Sequence, residues 1–173
     1  MGKTIVHNKR ETMARVEKEY RALDRVVRDL GTRGLGANVP GFGARARIRR
    51  ERWTRKDALA HIVEWRRNAL RALRKETSDP ELKGLKIDRR NRRLYERWHS
   101  KPARAVVAYH RKIHRETMAA IRALPPAYFA RRFSPLWPND LIGHSREHRE
   151  RHLEKSSGGS PRALRKHRTH TSD

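Results

Sequence analysis

No cysteine occurs in the 173 residues, which excludes disulfide scaffolds, thiolate zinc sites and a protein cysteine nucleophile. Acidic residues are scarce: 19 Asp and Glu stand against 44 Lys and Arg, a formal net charge of +25. Aromatic residues make up only 6%, and no apolar run approaches the roughly 20 residues of a membrane span. Met1 to Arg10 lacks the apolar segment of a secretion signal. These absences lead to the expectation of a soluble, cytoplasmic protein without a membrane partner. The hydrophobic fraction of 35% is lean. The apolar residues nevertheless recur at regular intervals, as in a folding chain. The length suits one domain.

The positive excess is the first feature that points somewhere. Solubility asks for a net charge of only about 2–8 in a small domain, and self-repulsion beyond that costs stability unless anions offset it. One stretch, Arg45, Arg47, Arg49, Arg50, Arg52, Arg55 and Lys56, forms a candidate nucleic-acid-binding surface, and Arg89, Arg90, Arg92 and Arg93 surround Asn91. Neither stretch matches a zinc finger, a basic zipper or a glycine-aromatic RNA-binding sequence. DNA binding would therefore rest on phosphate attraction, dependent on salt and indifferent to sequence.

The periodicity predicts helices almost throughout. Residues 1–10 and 155–173 read as tails, the second rich in Ser, Gly and basic residues, around a helical region spanning 11–154. Met13, Val16, Tyr20, Leu23, Val27 and Leu30 draw one apolar stripe that Gly31 ends, and further glycines and Pro40 mark a long loop. Thr54 with Asp57 is a capping-box signature opening a second helix, on which Ala58, Ile62, Trp65, Ala69 and Leu73 share a face. A shorter helix carries Asn91, Leu94, Tyr95 and Trp98. A long one starts near Pro102 and stops at Pro125 and Pro126, and a last one runs from Asn139 or Asp140 to about Leu153. No alternating strand pattern stands out. The expected fold is all-α: an up-and-down four-helix bundle with one additional short helix and a long first connection. A monomer and a homodimer are both open.

The last helix is unusual. Only Leu141, Ile142 and Leu153 are strongly apolar there, while His144, His148 and His152 recur every four residues. If the helix packs inward, its inner face includes imidazoles, and buried imidazoles need partners such as a metal ion. A His-x-x-x-His pair brings two ring nitrogens near one point, and His61, one turn from Ala58 and Trp65 on the second helix, is the natural third donor. Three histidines leave a coordination position open for water or substrate. The competing reading is a wet helix face, and His110 and His114 show the same spacing in a basic stretch.

Three segments carry a resemblance. Trp53 to Trp65, with His61 inside it, resembles the second-helix signature of the DinB/YfiT superfamily, which includes the mycothiol-dependent maleylpyruvate isomerase N-terminal domains and the ClbS/DfsB four-helix proteins. Asn91 to Trp98 is similar to the third segment of the ClbS/DfsB branch. Asn139-Asp140-Leu141 through His152 resembles the family's closing His-x-x-x-His helix. The resemblance implies a DinB-like bundle with His61, His148 and His152 as ligands of a divalent metal, Zn or Ni. The usual aromatic neighbours on the last helix are replaced by Arg146 and Arg149.

Two chemistries follow from this resemblance. In one, a metal ion activates an external low-molecular-weight thiol for transfer or isomerisation. In the other, a self-resistance or detoxification protein opens a small-molecule electrophile by hydrolysis. Around the histidines, Glu64 reads either as a base or second-shell acceptor or as a solvent ion pair. Asn91 reads as a substrate-orienting amide or a cap. Trp65, Tyr95 and Trp98 read as walls for a flat ligand or as core, and Trp137 as a lid or a plug at the end of the bundle. The alternative to this chemistry is a non-enzymatic, basic nucleic-acid-binding protein that uses the bundle as scaffold.

Overall fold

The computed structural model describes residues 4–39, 42 and 45–154. Strand β1 (Ile5–Val6) precedes helices α1 (Lys9–Leu35), α2 (Arg55–Arg74), α3 (Ile87–Trp98), α4 (Ala103–Ala123) and the single turn α5 (Pro126–Phe129). Strand β2 (Arg132–Phe133) and a 3₁₀ turn (Asn139–Leu141) then lead into α6 (Gly143–His148), which continues as a π-helical segment, Arg149–Glu154. The fold is an all-α bundle. Its members are α1, α2, α4 and the α6–π stretch, with α3 as the additional short helix.

Local chemistry explains the main boundaries. Thr54 and Asp57 form a reciprocal capping box at the start of α2, and the Asp57 carboxylate also takes the His99 Nδ1 hydrogen bond at 2.9 Å. Lys75 in the left-handed conformation ends that helix. Pro102 precedes α4 and Pro125 follows it. Gly31 was expected to end the first helix. It instead kinks α1, with φ +56°, and one more turn carries the chain to Leu35.

Part of the expected N-terminal tail makes long-range contacts. Ile5 pairs with Phe133 and Val6 with Arg132 in an antiparallel two-residue ladder. Asn8 caps α1, and Lys9 Nζ donates to the carbonyls of Arg122 and Leu124 at 2.6 and 2.8 Å, at the C-terminal end of α4. These partners lie more than a hundred residues away in sequence, so no local pattern announces them. The expected tail at 155–173 lies outside the described residues.

The long first connection is stitched to the start of α2. Val39 N–H donates to the Trp53 carbonyl and Arg55 N–H to the Ala37 carbonyl, both at 2.9 Å. This brings Phe42 into the main apolar cluster with Trp53, Leu59, Ile62, Val63, Val106 and Leu153. A second cluster, including Val16, Leu73, Ile121, Phe129, Leu141 and Ile142, closes the other end, and Trp137 packs against it.

A candidate histidine metal centre

His61 lies in the second turn of α2 and is buried, one turn past Asp57 in the capped start. From the last helix His144 and His148 come to meet it. Ring nitrogens of His61, His144 and His148 lie within 4.8 Å of one another, and Nε2 of His61 and Nε2 of His144 are 3.3 Å apart. Two ligands of a tetrahedral ion with bonds of about 2.0–2.1 Å sit about 3.3–3.4 Å apart, so that pair already has the separation of ligands to one ion.

His152 completes the row at the end of the pocket. Its ring stacks on His148 with centroids 5.4 Å apart and lies 4.4 Å from Phe42. The convergent set is therefore His61, His144 and His148, with His152 beside it, and differs in one member from the set the resemblance implies. His144 and His148 follow one another in α-helical geometry, whereas His152 lies in the π-helical segment, whose wider turn alters the direction of a residue four positions on.

The pocket is a cavity of about 410 Å³ lined by these four imidazoles together with Phe42, Trp65, Ile87, Asn91, Asn139, Asp140 and Arg151. Burial holds all four histidines below their ordinary pKa. His61 lies well below it, with the neighbouring imidazoles adding to the shift. His144 is pushed down to about 3, and His148 and His152 to about 4. All four are neutral at pH 7 and keep lone pairs for a cation. Nδ1 of each is buried without a hydrogen-bond partner among the described residues. Ring orientation is thus set by packing, with the His61 ring 4.6 Å from Phe42 and the His144 ring 5.0 Å from Trp65. Three neutral imidazoles with convergent nitrogens fit a borderline-soft divalent ion such as Zn or Ni.

The rotation of the last helix is fixed from behind. Glu19, buried on α1, accepts hydrogen bonds from Ser145 Oγ, Arg149 Nε and Arg149 Nη2, each at 3.0 Å. Arg149 also pairs with Glu154. Arg66, fully buried on α2, reaches the Leu141 carbonyl at 3.4 Å and Ser145 Oγ at 3.5 Å. Arg146, by contrast, is exposed, its Nε 4.0 Å from Glu19. Arg149 is therefore a clamp on the helix carrying the histidines.

The remaining candidates separate. Trp65 and Asn91 line the pocket, with the Arg90 guanidinium 5.0 Å over the Trp65 ring and Asn91 Oδ1 buried and unpartnered among the described residues. Glu64 does not line it. Its carboxylate takes Trp98 Nε1 at 2.8 Å and lies 3.4 Å from Arg97, which ties α2 to α3. Trp98 stacks on Tyr109 at 4.8 Å, and Tyr95 accepts the Arg52 N–H and stacks on His99, so neither lines the pocket. Trp137 packs against the second cluster, stacks on Phe133 at 4.3 Å and lies 5.2 Å from the His7 ring, and it does not line the histidine pocket.

The run of candidate nucleic-acid residues also divides. Arg45, Arg47, Arg50 and Arg52 are exposed, and Arg49 pairs with Glu51 at 2.5 Å. Arg55 is buried, and so is Lys56, whose Nζ donates to the carbonyls of Trp98, His99 and Lys101 at the C-terminal end of α3.

Phe42, Arg151, Glu19 and Arg149 were missed as site or supporting residues. Glu19 left a trace, since it falls between Val16 and Leu23 on the apolar stripe, where a carboxylate demands a buried partner. Phe42, in a glycine-rich loop, left none.

An all-α bundle with imidazoles from two helices facing one cavity defines a class of helical proteins with an interior histidine centre. A family model described as the mycothiol maleylpyruvate isomerase N-terminal domain matches residues 16–145, and the chain belongs to this family, a DinB-like helical domain. Comparison with the curated proteins and with the solved structures gives no match.

Proposed function

We propose that this chain binds one divalent ion, Zn or Ni, through His61, His144 and His148, and uses it to join an external low-molecular-weight thiol to a small electrophile. The convergence of three neutral imidazole nitrogens within 4.8 Å carries this reading. The family supplies the thiol, and the absence of cysteine from the chain requires that it come from a cosubstrate. When bound, the ion lowers the pKa of a coordinated thiol or water, which makes it nucleophilic at neutral pH.

The chain's own residues do the rest. Phe42 and Trp65 form apolar walls that hold a flat ligand and exclude water from the imidazole row. Asn91, with an unspent buried carbonyl oxygen, orients a hydrogen-bond donor of the substrate. His152, beside His148 at the end of the row and against Phe42, closes the pocket. Arg151 at the pocket wall attracts anionic groups. Glu64 acts as a positioning residue, holding Trp98 and Arg97 in place. We place this chemistry in the cytoplasm, where small thiols are kept reduced.

The test is metal analysis of tag-free protein followed by turnover. About one ion per chain is expected. With mycothiol, the loaded protein should either consume the thiol and form a thioether from an activated alkene or epoxide, or isomerise an activated alkene with the thiol required but regenerated. Electrophile opening by water that proceeds equally well without any thiol would instead assign the pocket to the hydrolytic, ClbS/DfsB-like chemistry. A chain that takes up neither Zn nor Ni would overturn both.

A further inference from the structure

The histidine pocket leaves the charge unexplained, and the structure concentrates part of that charge beside it. Residues 45–50 form a tight helical turn, closed by the Glu51 N–H on the Ala46 carbonyl at 3.0 Å. The turn is tied to α3 by the Arg52 N–H donating to Tyr95 Oη at 3.1 Å. A cavity of about 380 Å³ joins the two elements, with Arg45 from the turn, Gly84, Leu85 and Lys86 from the segment before α3, and Asp88 and Arg89 from its first turn.

Arg45, Arg47, Arg50, Arg52, Lys86 and Arg89 are exposed and have no acidic partner within ion-pair distance among the described residues. The acids of this face are Glu51, Asp88 and Glu96. Glu51 pairs with Arg49, and Glu96 is occupied by Arg92 and Arg93. Ile87, next to Lys86, lines the histidine pocket, so the basic face borders the pocket.

One residue carries a conformational penalty. Arg50 has φ +56°, the left-handed position that closes a helical turn and that glycine fills without strain. A long cation stands where the backbone favours glycine. Side-chain type points the same way, because 33 of the 44 basic residues are arginine, whose planar fork matches phosphate oxygens in pairs.

We infer that the face built from the 45–52 turn and the start of α3 is an interface for the phosphate backbone of nucleic acid. A membrane surface fits it less well. Only Ile48 and Ile87 project as large apolar side chains here, and an interfacial segment needs an apolar face to insert. Because the face borders the pocket, bound nucleic acid places the pocket within reach of reactive molecules that accumulate at the polyanion.

Fluorescence anisotropy of the full chain with a labelled 20-base-pair duplex of arbitrary sequence tests this. Binding should weaken on the order of a few hundredfold between 50 and 200 mM salt if about five phosphates are neutralised. Arg47→Glu together with Arg50→Glu should weaken it about tenfold or more at 100 mM salt. The same two-charge reversal at the exposed Arg115 and Arg122 of α4 should cost no more than about twofold.

Arg50→Gly gives a second readout whose two effects run in opposite directions. It relieves the left-handed arginine and should raise the thermal midpoint while lowering duplex affinity several-fold, so a folding failure of the double reversal does not decide the matter. Three results would overturn the inference: no binding at 50 mM salt, equal losses from both pairs of reversals, or tighter binding to vesicles of anionic phospholipid than to the duplex.

Discussion

Two histidine pairs with the same four-residue spacing meet different fates in this molecule. On the last helix, His144 and His148 face His61 across a cavity. On α4, His110 and His114 face Tyr20 of α1, whose ring stacks on His114 at 3.5 Å and 3° and on His110 at 4.9 Å. His114 Nε2 bonds Glu17 at 2.9 Å, and His110 Nε2 lies 3.7 Å from Asp24. Spacing brings two imidazoles to one face of a helix in both cases. The element opposite decides whether they can share an ion: on the last helix a third imidazole nitrogen lies within 4.8 Å of both, whereas on α4 the rings stack on Tyr20 and no third donor converges with them among the described residues.

Metal affinity should separate the two pairs most sharply. His144→Ala should weaken Zn binding by more than about a hundredfold, since the loss of a supporting residue alone costs 10–100-fold. His152→Ala should cost less than about tenfold, and His114→Ala should leave affinity unchanged. Competition with a chromophoric chelator reads all three. A larger loss from His152→Ala than from His144→Ala would restore the ligand set that the resemblance implied.

Next in size is the clamp behind the pocket. The carboxylate of Glu19 and the guanidinium of Arg149 are both buried, so Glu19→Ala removes the buried partner of Arg149 and leaves it only the more exposed Glu150 and Glu154. It should destabilise the fold by about 3–5 kcal/mol in urea unfolding. If the clamp sets the rotation of α6, Glu19→Gln should also loosen the ion while retaining more stability than Glu19→Ala. Unchanged affinity in Glu19→Gln would show that packing against Phe42 and Trp65 is sufficient.

What the sequence revealed divides along the same line between local and distant causes. The capping box at Thr54 and the prolines around α4 act within a few residues, and the helices they bound fall close to where those signals place them, whereas Gly31 kinks α1 without ending it. His61 was legible because it shares a helix turn with Ala58 and Trp65. The convergence of His144 with His61 and His148 was not, because no periodicity encodes the α-to-π change after His148 or the meeting of Arg149 with Glu19, 130 residues away. The ladder of β1 and β2, the cation Lys56 folded beneath the end of α3 and the placement of Phe42 depend equally on contacts that no periodicity encodes.

Acid should act on the pair that faces Tyr20 as well as on the pocket. Burial lowers His110 to about 3 and His114 to about 4, with the Arg66 guanidinium adding to both shifts and Arg111 to that of His110, while Glu17 and Asp24 oppose the shift at His114. The unfolded chain titrates them near pH 6.5. Between about pH 6.5 and 4 the unfolded state therefore binds more protons, and stability falls as pH falls, by on the order of one to a few kcal/mol from this pair. His110→Leu should flatten part of the slope in thermal unfolding from pH 7 to 4. An unaltered slope would assign the acid sensitivity to the pocket histidines alone.

The smallest effect tests whether the pocket depends on its helix start. Thr54→Ala removes one half of the capping box and should cost about 1 kcal/mol of stability. His61 lies two turns further along α2, between buried Ala60 and Ile62, and its ring is held by Phe42 and Trp53. The Asp57 carboxylate would still receive the Thr54 N–H and His99. Metal affinity should consequently stay within about twofold of the wild type while the urea midpoint drops. If affinity falls together with the midpoint, the convergence of the imidazoles rests on the first turn of α2 as much as on the walls of the cavity, and the contrast with the α4 pair becomes one of anchoring as well as of opposing partners.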